Sequence, residues 1–310
     1  MEADTTLKTE FAGLELASPV FLASGTCGYA DELAEFMDLS ILGGITTKSI
    51  TLESRKGNPT PRIVETCGGM LNAIGLANMG LEQFQNQMLP VLEKLPTRVF
   101  VNLAGKTIEE YAAVARALSA ETAIDGFELN ISCPNVKKGG ITFGTDPVLI
   151  REITAAVKKE CGKKPLMVKL TPMVTNITAT ATAAIEGGAD ALSMINTFTA
   201  MVIDIHQRRP VLANRTGGLS GPAIKPIAVY LVSKVYQEAA KDAGIPILGM
   251  GGIMTASDAL EFFIAGASAV AIGTATFIYP DTARRVIEGL RCYCTQKGFS
   301  RISDLVGTLQ

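Results

Sequence analysis

The chain has 310 residues, 47% of them hydrophobic and 19% charged, with a mean hydropathy of +0.28; this is enough for a large buried core and excludes a disordered or collagen-like polymer. Twenty-eight Lys and Arg against 30 Asp and Glu leave a formal net charge of −2 at pH 7, and no basic block stands out to grip a phosphodiester backbone. Six cysteines with no Cys-x-x-Cys pair, and one histidine, exclude a disulfide framework, a structural zinc or iron–sulfur site and a multi-histidine metal site within this chain.

The first residues, Met1-Glu-Ala-Asp-Thr-Thr, carry acid and no apolar h-region, so no signal peptide is read there; with the cysteine usage this predicts a cytoplasmic protein. Residues 7–16 alternate around Gly13 and predict a small hairpin closing the bottom of the fold. Then come eight short, apolar strand candidates at 20–23, 44–47, 99–102, 126–129, 166–169, 191–194, 246–249 and 269–272. Helical stretches alternate with them at about 31–38, 78–94, 107–119, 147–160, 175–187, 222–243, 255–265 and 275–290. Eight alternations predict a parallel sheet closed as a (β/α)8 TIM barrel, in one domain over residues 1–310. The uncharged stretch 262–280 is long enough to span a bilayer, but Gly266, Gly273 and the β-favouring run between them divide it into a βα junction. Three connections, 49–77, 131–146 and 197–221, are unusually long and follow strand candidates, on the side where barrels of this kind carry their chemistry.

Three features point to a ligand. Leu248-Gly-Met-Gly-Gly-Ile253 and Ala271-Ile-Gly-Thr-Ala-Thr276 follow the last two strands, where glycine lets backbone amides approach a phosphate; the same glycines also ease tight turns. Lys48, Asn102, Asn130, Lys169 and Asn196 stand at the tips of otherwise apolar strands, and amides there suit an imide or amide ring. Finally, Asn130-Ile-Ser-Cys-Pro-Asn135 leads into a Gly-rich loop, with Cys133 beside a proline and near two lysines that favour a thiolate. Cys27 and Cys67 are rival thiols in other loops, while Cys161, Cys292 and Cys294 fall on or after helices and read as structural. His206 lies in a polar run and is assigned no catalytic role, and no pair of carboxylates supports a glycosidase mechanism.

These residues resemble the class 1B dihydroorotate dehydrogenases nearly end to end. The marks are Ala23-Ser-Gly-Thr26, Thr46-Thr-Lys-Ser49, Asn58-Pro-Thr-Pro-Arg62, Gly68-Gly-Met-Leu-Asn-Ala-Ile-Gly-Leu76, the Cys133 motif, Ile195-Asn-Thr197, Gly217-Gly-Leu-Ser-Gly221, Gly251-Gly252 and Gly273-Thr274. The resemblance implies FMN held by Ser24, Lys48, Ser49, Asn102, Asn130, Lys169, Ile195, Gly221, Gly251, Gly252, Gly273 and Thr274. It implies substrate contacts at Lys48, Asn72, Ala73, Ile74, Gly75, Leu76, Asn130, Asn196 and Thr197, with Cys133 as the base that takes a proton from C5 of dihydroorotate while C6 gives hydride to the flavin. Lys169 is then expected to stabilise charge on the reduced flavin, and the loop from Pro134 to Gly144 to open and close over the thiol.

The membrane-bound quinone-reducing class resembles these enzymes but uses serine and an N-terminal membrane-associating extension; with Cys133 in the motif and no such segment read, that class is not expected. Asn135-Val-Lys-Lys-Gly-Gly looks like the NAD-linked class, whose homodimeric core passes electrons to a second subunit bearing FAD and a [2Fe–2S] cluster in a heterotetramer. The fumarate-using class is the alternative. Two further readings, from other classes, are a phosphate-binding barrel lyase with Lys169 as Schiff-base amine and a non-catalytic scaffold that binds an electron-transfer partner. Cys27 and Cys67 depart from the family's pattern and raise the expectation of oxidation sensitivity.

Overall fold

The apolar runs expected as strands become strands because each is buried on both faces, inside the barrel and beneath the helices. The structure, a computed structural model, describes residues 7–131, 137–138 and 141–310. In chain order the strands are β1 (Thr9–Phe11), β2 (Leu14–Leu16), β3 (Val20–Leu22), β4 (Gly44–Thr46), β5 (Ile63–Thr66), β6 (Gly69–Asn72), β7 (Arg98–Leu103), β8 (Gly126–Asn130), β9 (Lys137–Lys138), β10 (Ile141–Thr142), β11 (Leu166–Lys169), β12 (Ala191–Met194), β13 (Phe198–Ala200), β14 (Ile203–Asp204), β15 (Arg209–Pro210), β16 (Gly217–Ser220), β17 (Ile247–Met250) and β18 (Ala269–Ile272). The helices are α1 (Leu81–Gln83), α2 (Leu89–Leu92), α3 (Ile108–Leu118), α4 (Pro147–Glu160), α5 (Ile177–Glu186), α6 (Lys225–Val235), α7 (Lys241–Ala243), α8 (Ala256–Ala265) and α9 (Thr282–Lys297). A π turn over Phe84–Met88 joins α1 to α2, and another over Tyr236–Ala240 joins α6 to α7.

Strands β3, β4, β7, β8, β11, β12, β17 and β18 close into a barrel in that order, every pair parallel. This is the expected (β/α)8 TIM barrel. The hairpin β1–β2 sits beneath it: Phe11 and Leu16 pack with the inward residues Phe21, Phe100, Met167 and Leu248, and the Phe11, Phe21 and Phe100 rings follow one another at 5.8 and 5.7 Å. With the bottom plugged by aromatic rings, the C-terminal end is where the barrel opens.

The helices begin on side-chain caps that the sequence supplies. Thr107 accepts from the Glu110 amide, Asp146 from Val148 and Asn176 from Ala179, and Thr255 with Asp258 forms a capping box. Two expected helices differ. Residues 31–38 form only one 3-10 turn, Glu32–Glu35, with a second following at Leu39–Ile41, since Leu33 is the only buried residue of the first and one apolar contact cannot hold a longer helix. After β18 the chain makes a 3-10 turn over Thr274–Phe277 before α9 starts at Thr282, later than expected. Residues 262–280 run through the end of α8, β18 and that turn, as a βα junction does. Among the described residues, no helix is long and apolar enough to cross a membrane.

The long connections carry structure that strand periodicity does not announce. Segments from 49–77 and 197–221 pair with each other as a four-stranded antiparallel sheet, β13-β16-β6-β5, with Gly218 opposite Asn72 and Leu219 opposite Leu71. Leu71, Ala73 and Leu212 form its own small buried cluster.

Candidate active site in the barrel mouth

The inward face of β8 sets the chemistry of the mouth. Successive strand residues alternate faces, and Gly126 lies inward because a Cβ there would come within 2.5 Å of the Phe100 ring. Glu128 and Asn130 therefore also point in, and Glu128 is completely buried. Three donors surround its carboxylate: Asn102 Nδ2 at 2.5 Å and Lys169 Nζ at 3.4 Å on Oε2, and Ser193 Oγ at 2.7 Å on Oε1. Lys169 also donates to Ser24 Oγ at 3.0 Å, and Ser49 Oγ donates to Asn102 Oδ1 at 2.5 Å. The strand-tip residues Ser24, Ser49, Asn102 and Lys169 thus form one connected network on a buried carboxylate. Such a pair persists away from water only when its remaining hydrogen bonds are supplied, as they are here. Glu128 and Ser193 were not among the expected site residues, although a glutamate two positions before Asn130 in an apolar strand marks a polar inward face.

A second group assembles above this floor. Asn196 Nδ2 lies 3.5 Å from Asn130 Oδ1, and the Asn196 side chain accepts the Thr197 amide at 2.8 Å. Thr197 sits over Gly218, where a Cβ would fall 2.0 Å from its Oγ1, and Asn72 Nδ2 approaches the Gly218 carbonyl at 3.4 Å. The expected substrate segments around Asn72 and Thr197, far apart in sequence, therefore meet across one glycine. Asn58 pins Ala73 and Ile74 through their carbonyls, at 3.0 and 3.1 Å, and Asn78 Nδ2 donates to the Leu76 carbonyl at 2.8 Å. Gly75 and Leu76 both have positive φ, +73° and +57°; a Cβ at Gly75 would lie 2.6 Å from the Asn58 amide nitrogen, which is why the turn needs glycine there. Lys48 follows β4, its amide donating to the Gly28 carbonyl at 2.9 Å, and Ile195 is buried after β12.

The expected phosphate loops converge. Thr274 Oγ1 donates to Ser220 Oγ at 2.8 Å, and a Cβ on Gly252 would lie 2.7 Å from the Gly221 carbonyl oxygen. Gly221, Gly251 and Gly252 have φ of +103°, +136° and +74°, and Gly273 would meet only Ala23 if it carried a side chain. Lys225 braces this corner with Asp258 at 2.6 Å and Glu261 at 2.5 Å. Burial works against the Asp258 charge, yet the Lys225 ammonium, the Thr255 hydroxyl and the Met254 and Thr255 amides hold its carboxyl below the usual range.

Cys133 lies outside the described residues. Cys27 is buried, its thiol donating to the Thr46 carbonyl at 3.2 Å, and burial pushes its pKa up to about 12, so it is a poor base. Cys67 is exposed at the β5–β6 turn. Cys161 and Cys294 are buried as expected of structural thiols, whereas Cys292 is exposed on α9. His206 is exposed in the β14–β15 hairpin, its amide donating to Asp204 at 2.9 Å. Among the described residues, no three His, Cys, Asp or Glu side chains are grouped to hold a metal ion.

Amide side chains, a buried ammonium and a corner of converging glycine loops thus lie together at the C-terminal end of the barrel. Residues 6–293 match the family model described as dihydroorotate dehydrogenase. The chain belongs to the dihydroorotate dehydrogenase family. Curated relatives in this family are named dihydroorotate dehydrogenase B (NAD(+)), catalytic subunit. The one from Geotalea uraniireducens (strain Rf4) is 52% identical over 303 residues, covering 98% of each chain. That from Pelobacter propionicus (strain DSM 2379 / NBRC 103807 / OttBd1) is 51% identical over 310 residues, all of both chains, and that from Alkaliphilus metalliredigens (strain QYMF) 51% over 303 residues. Dihydroorotate dehydrogenases are oxidoreductases, so the family match displaces the lyase expectation for Lys169, whose Nζ donates to Ser24 and Glu128.

Proposed function

We propose that this chain oxidises dihydroorotate to orotate in pyrimidine biosynthesis, as one FMN-binding barrel domain that passes electrons to NAD through a partner subunit bearing FAD and a [2Fe–2S] cluster. The observation that carries the reading is the single network joining Ser24, Ser49, Asn102, Lys169 and Glu128, which presents amide, hydroxyl and ammonium groups together at the barrel mouth. The hydroxyl of Thr46, on the adjacent strand β4, is likewise buried, with no hydrogen-bond partner among the described residues. The names of the relatives support NAD rather than fumarate as the final acceptor and imply a second subunit. A cytoplasmic location and a homodimeric core follow the same reading.

The residues present fit the cofactor. Gly221, Gly251, Gly252, Gly273 and Thr274 would hold the phosphate; Ser24, Lys48, Ser49, Asn102, Asn130, Lys169 and Ile195 would hold the ring system. FMN, when bound, supplies the hydride acceptor. Asn72, Asn130, Asn196 and Thr197, with Lys48 and the segment Ala73 to Leu76, orient the ring and carboxylate of dihydroorotate so that the C5 and C6 bonds are aligned. Cys133, as thiolate, removes the C5 proton while the C6 hydride departs, which forms the ring double bond. The pairing of β6 with β16 holds Asn72 opposite Gly218 at one flank of this site.

Purified protein should be yellow and should bleach when dihydroorotate is added without oxygen. NADH should then form only when the partner subunit is present. A colourless preparation trapped by borohydride with a carbonyl substrate would contradict the reading, and fumarate turnover by the isolated chain would move it to the fumarate-using class.

A further inference from the structure

We propose that Glu128 is a positioning residue for the flavin: it fixes Lys169 and Asn102, and its charge offsets part of the Lys169 charge, so that the bound flavin has a lower reduction potential than Lys169 alone would set. The inference rests on the FMN-dependent reading above.

Glu128 takes no part in the proton and hydride transfers, yet it is completely buried in the middle of β8 and all three donors around it come from other strands. Asn102 is on β7, Lys169 on β11 and Ser193 on β12, so one carboxylate ties three barrel strands together at the depth of the site. Two of those partners are the groups read as flavin contacts. A packing role alone would be served by an uncharged residue of similar volume, without the cost of taking a charge out of water.

The charge has a chemical consequence. Reduction of the flavin by two electrons and one proton leaves one negative charge on its pyrimidine half. The Lys169 ammonium favours that charge, and the Glu128 carboxylate, 3.4 Å from Nζ, opposes it. In a water-poor barrel interior neither effect is screened as it would be at the surface. The pair therefore sets an intermediate potential, from which electrons can leave for a second centre instead of being held on the flavin.

The test is the midpoint potential of bound FMN, read by anaerobic reductive titration against a reference dye in wild-type, Glu128→Gln and Glu128→Asp holoenzymes. Glu128→Gln keeps the volume and removes the charge, so its potential should rise; Glu128→Asp keeps the charge and should fall back toward wild type. An unshifted or lowered potential in Glu128→Gln overturns the proposal, as does an Asp variant shifted as far as the Gln variant. If Glu128→Gln does not retain flavin, Ser193→Ala decides the matter: loss of that donor concentrates charge on the oxygen facing Lys169 and should lower the potential, and no change overturns the proposal. Dihydroorotate bleaching is read separately on the same samples. A shifted potential in protein that dihydroorotate never bleaches would sink the substrate assignment alone; an unshifted one in protein that it still bleaches would sink the role of Glu128 alone.

Discussion

Tyr111 Oη donates a hydrogen bond to the backbone carbonyl of Asn130 at 2.8 Å, from a completely buried position on α3. The bond fastens the last residue of β8, three positions before Cys133, to the helix layer, and the Phe143 ring meets Tyr111 edge-on at 6.5 Å from the other end of the connection. Tyr111→Phe keeps the ring and removes the hydroxyl. The expected result is a loss of about 1–2 kcal/mol in stability by denaturant titration, the size of one buried hydrogen bond, and slower flavin reduction with FMN still bound. Unchanged reduction kinetics would show that the anchor does not reach the thiol loop.

Gly252 and Gly244 separate a functional glycine from a conformational one. Both have positive φ, +74° and +65°, but a Cβ at Gly252 would strike the Gly221 carbonyl oxygen whereas Gly244 has open space around it. Gly244→Ala should cost stability alone, about 1 kcal/mol, and leave flavin content unchanged. Gly252→Ala should lose FMN on gel filtration, because the two loops cannot both keep their place. The absorbance ratio of flavin to protein checks this directly.

Two of the three buried thiols among the described residues, Cys27 and Cys161, make stability fall most at alkaline pH. Burial pushes Cys27 and Cys161 up to about 12, above the ordinary thiol pKa of about 8.5. Between those values the folded chain binds more protons than the unfolded one, so stability is fully present below the unfolded pKa and is lost as pH rises toward the folded one. Cys27→Ala should flatten that decline between pH 8 and 10, measured as the difference in denaturation midpoint from wild type. At neutral pH, exposed Cys67 and Cys292 should react with an alkylating reagent in the native protein while Cys27 and Cys161 stay protected, as mass spectrometry of digests would show.

The helix α8 rests on its capping box. Thr255→Ala removes the hydroxyl that accepts the Asp258 amide and donates to its carboxylate, and should cost about 1 kcal/mol. Because Asp258 also holds Lys225 beside Gly252, FMN affinity should weaken modestly in the same variant, which a fluorescence titration would measure.

The barrel was legible because its eight strands are short, apolar and doubly buried, and because Pro147 after Asp146 marks a helix start; α4 runs over the expected 147–160. What was not legible is long-range. The pairing of Gly218 with Asn72 joins residues 146 positions apart, and a Gly-Gly-Leu-Ser run carries no strand signal of its own. Residues 31–38 have helical composition, but with only Leu33 buried in their first turn they lack the packing that would lengthen it. At the site, Asn102, Lys169 and the glycine loops showed themselves as polar or flexible residues at strand ends. Glu128 was harder to read, because it is flanked by Phe127 and Leu129 and its partners Asn102, Lys169 and Ser193 lie 26, 41 and 65 positions away on other strands.

The central claim is that the barrel mouth oxidises dihydroorotate with the Cys133 thiol as base, and anaerobic stopped-flow reduction of the bound flavin tests it most directly. Wild type should bleach rapidly on mixing with dihydroorotate, and Cys133→Ala should keep its yellow FMN but reduce at least roughly 100-fold more slowly, the usual worth of a positioned base. Reduction of Cys133→Ala at the wild-type rate would contradict the account.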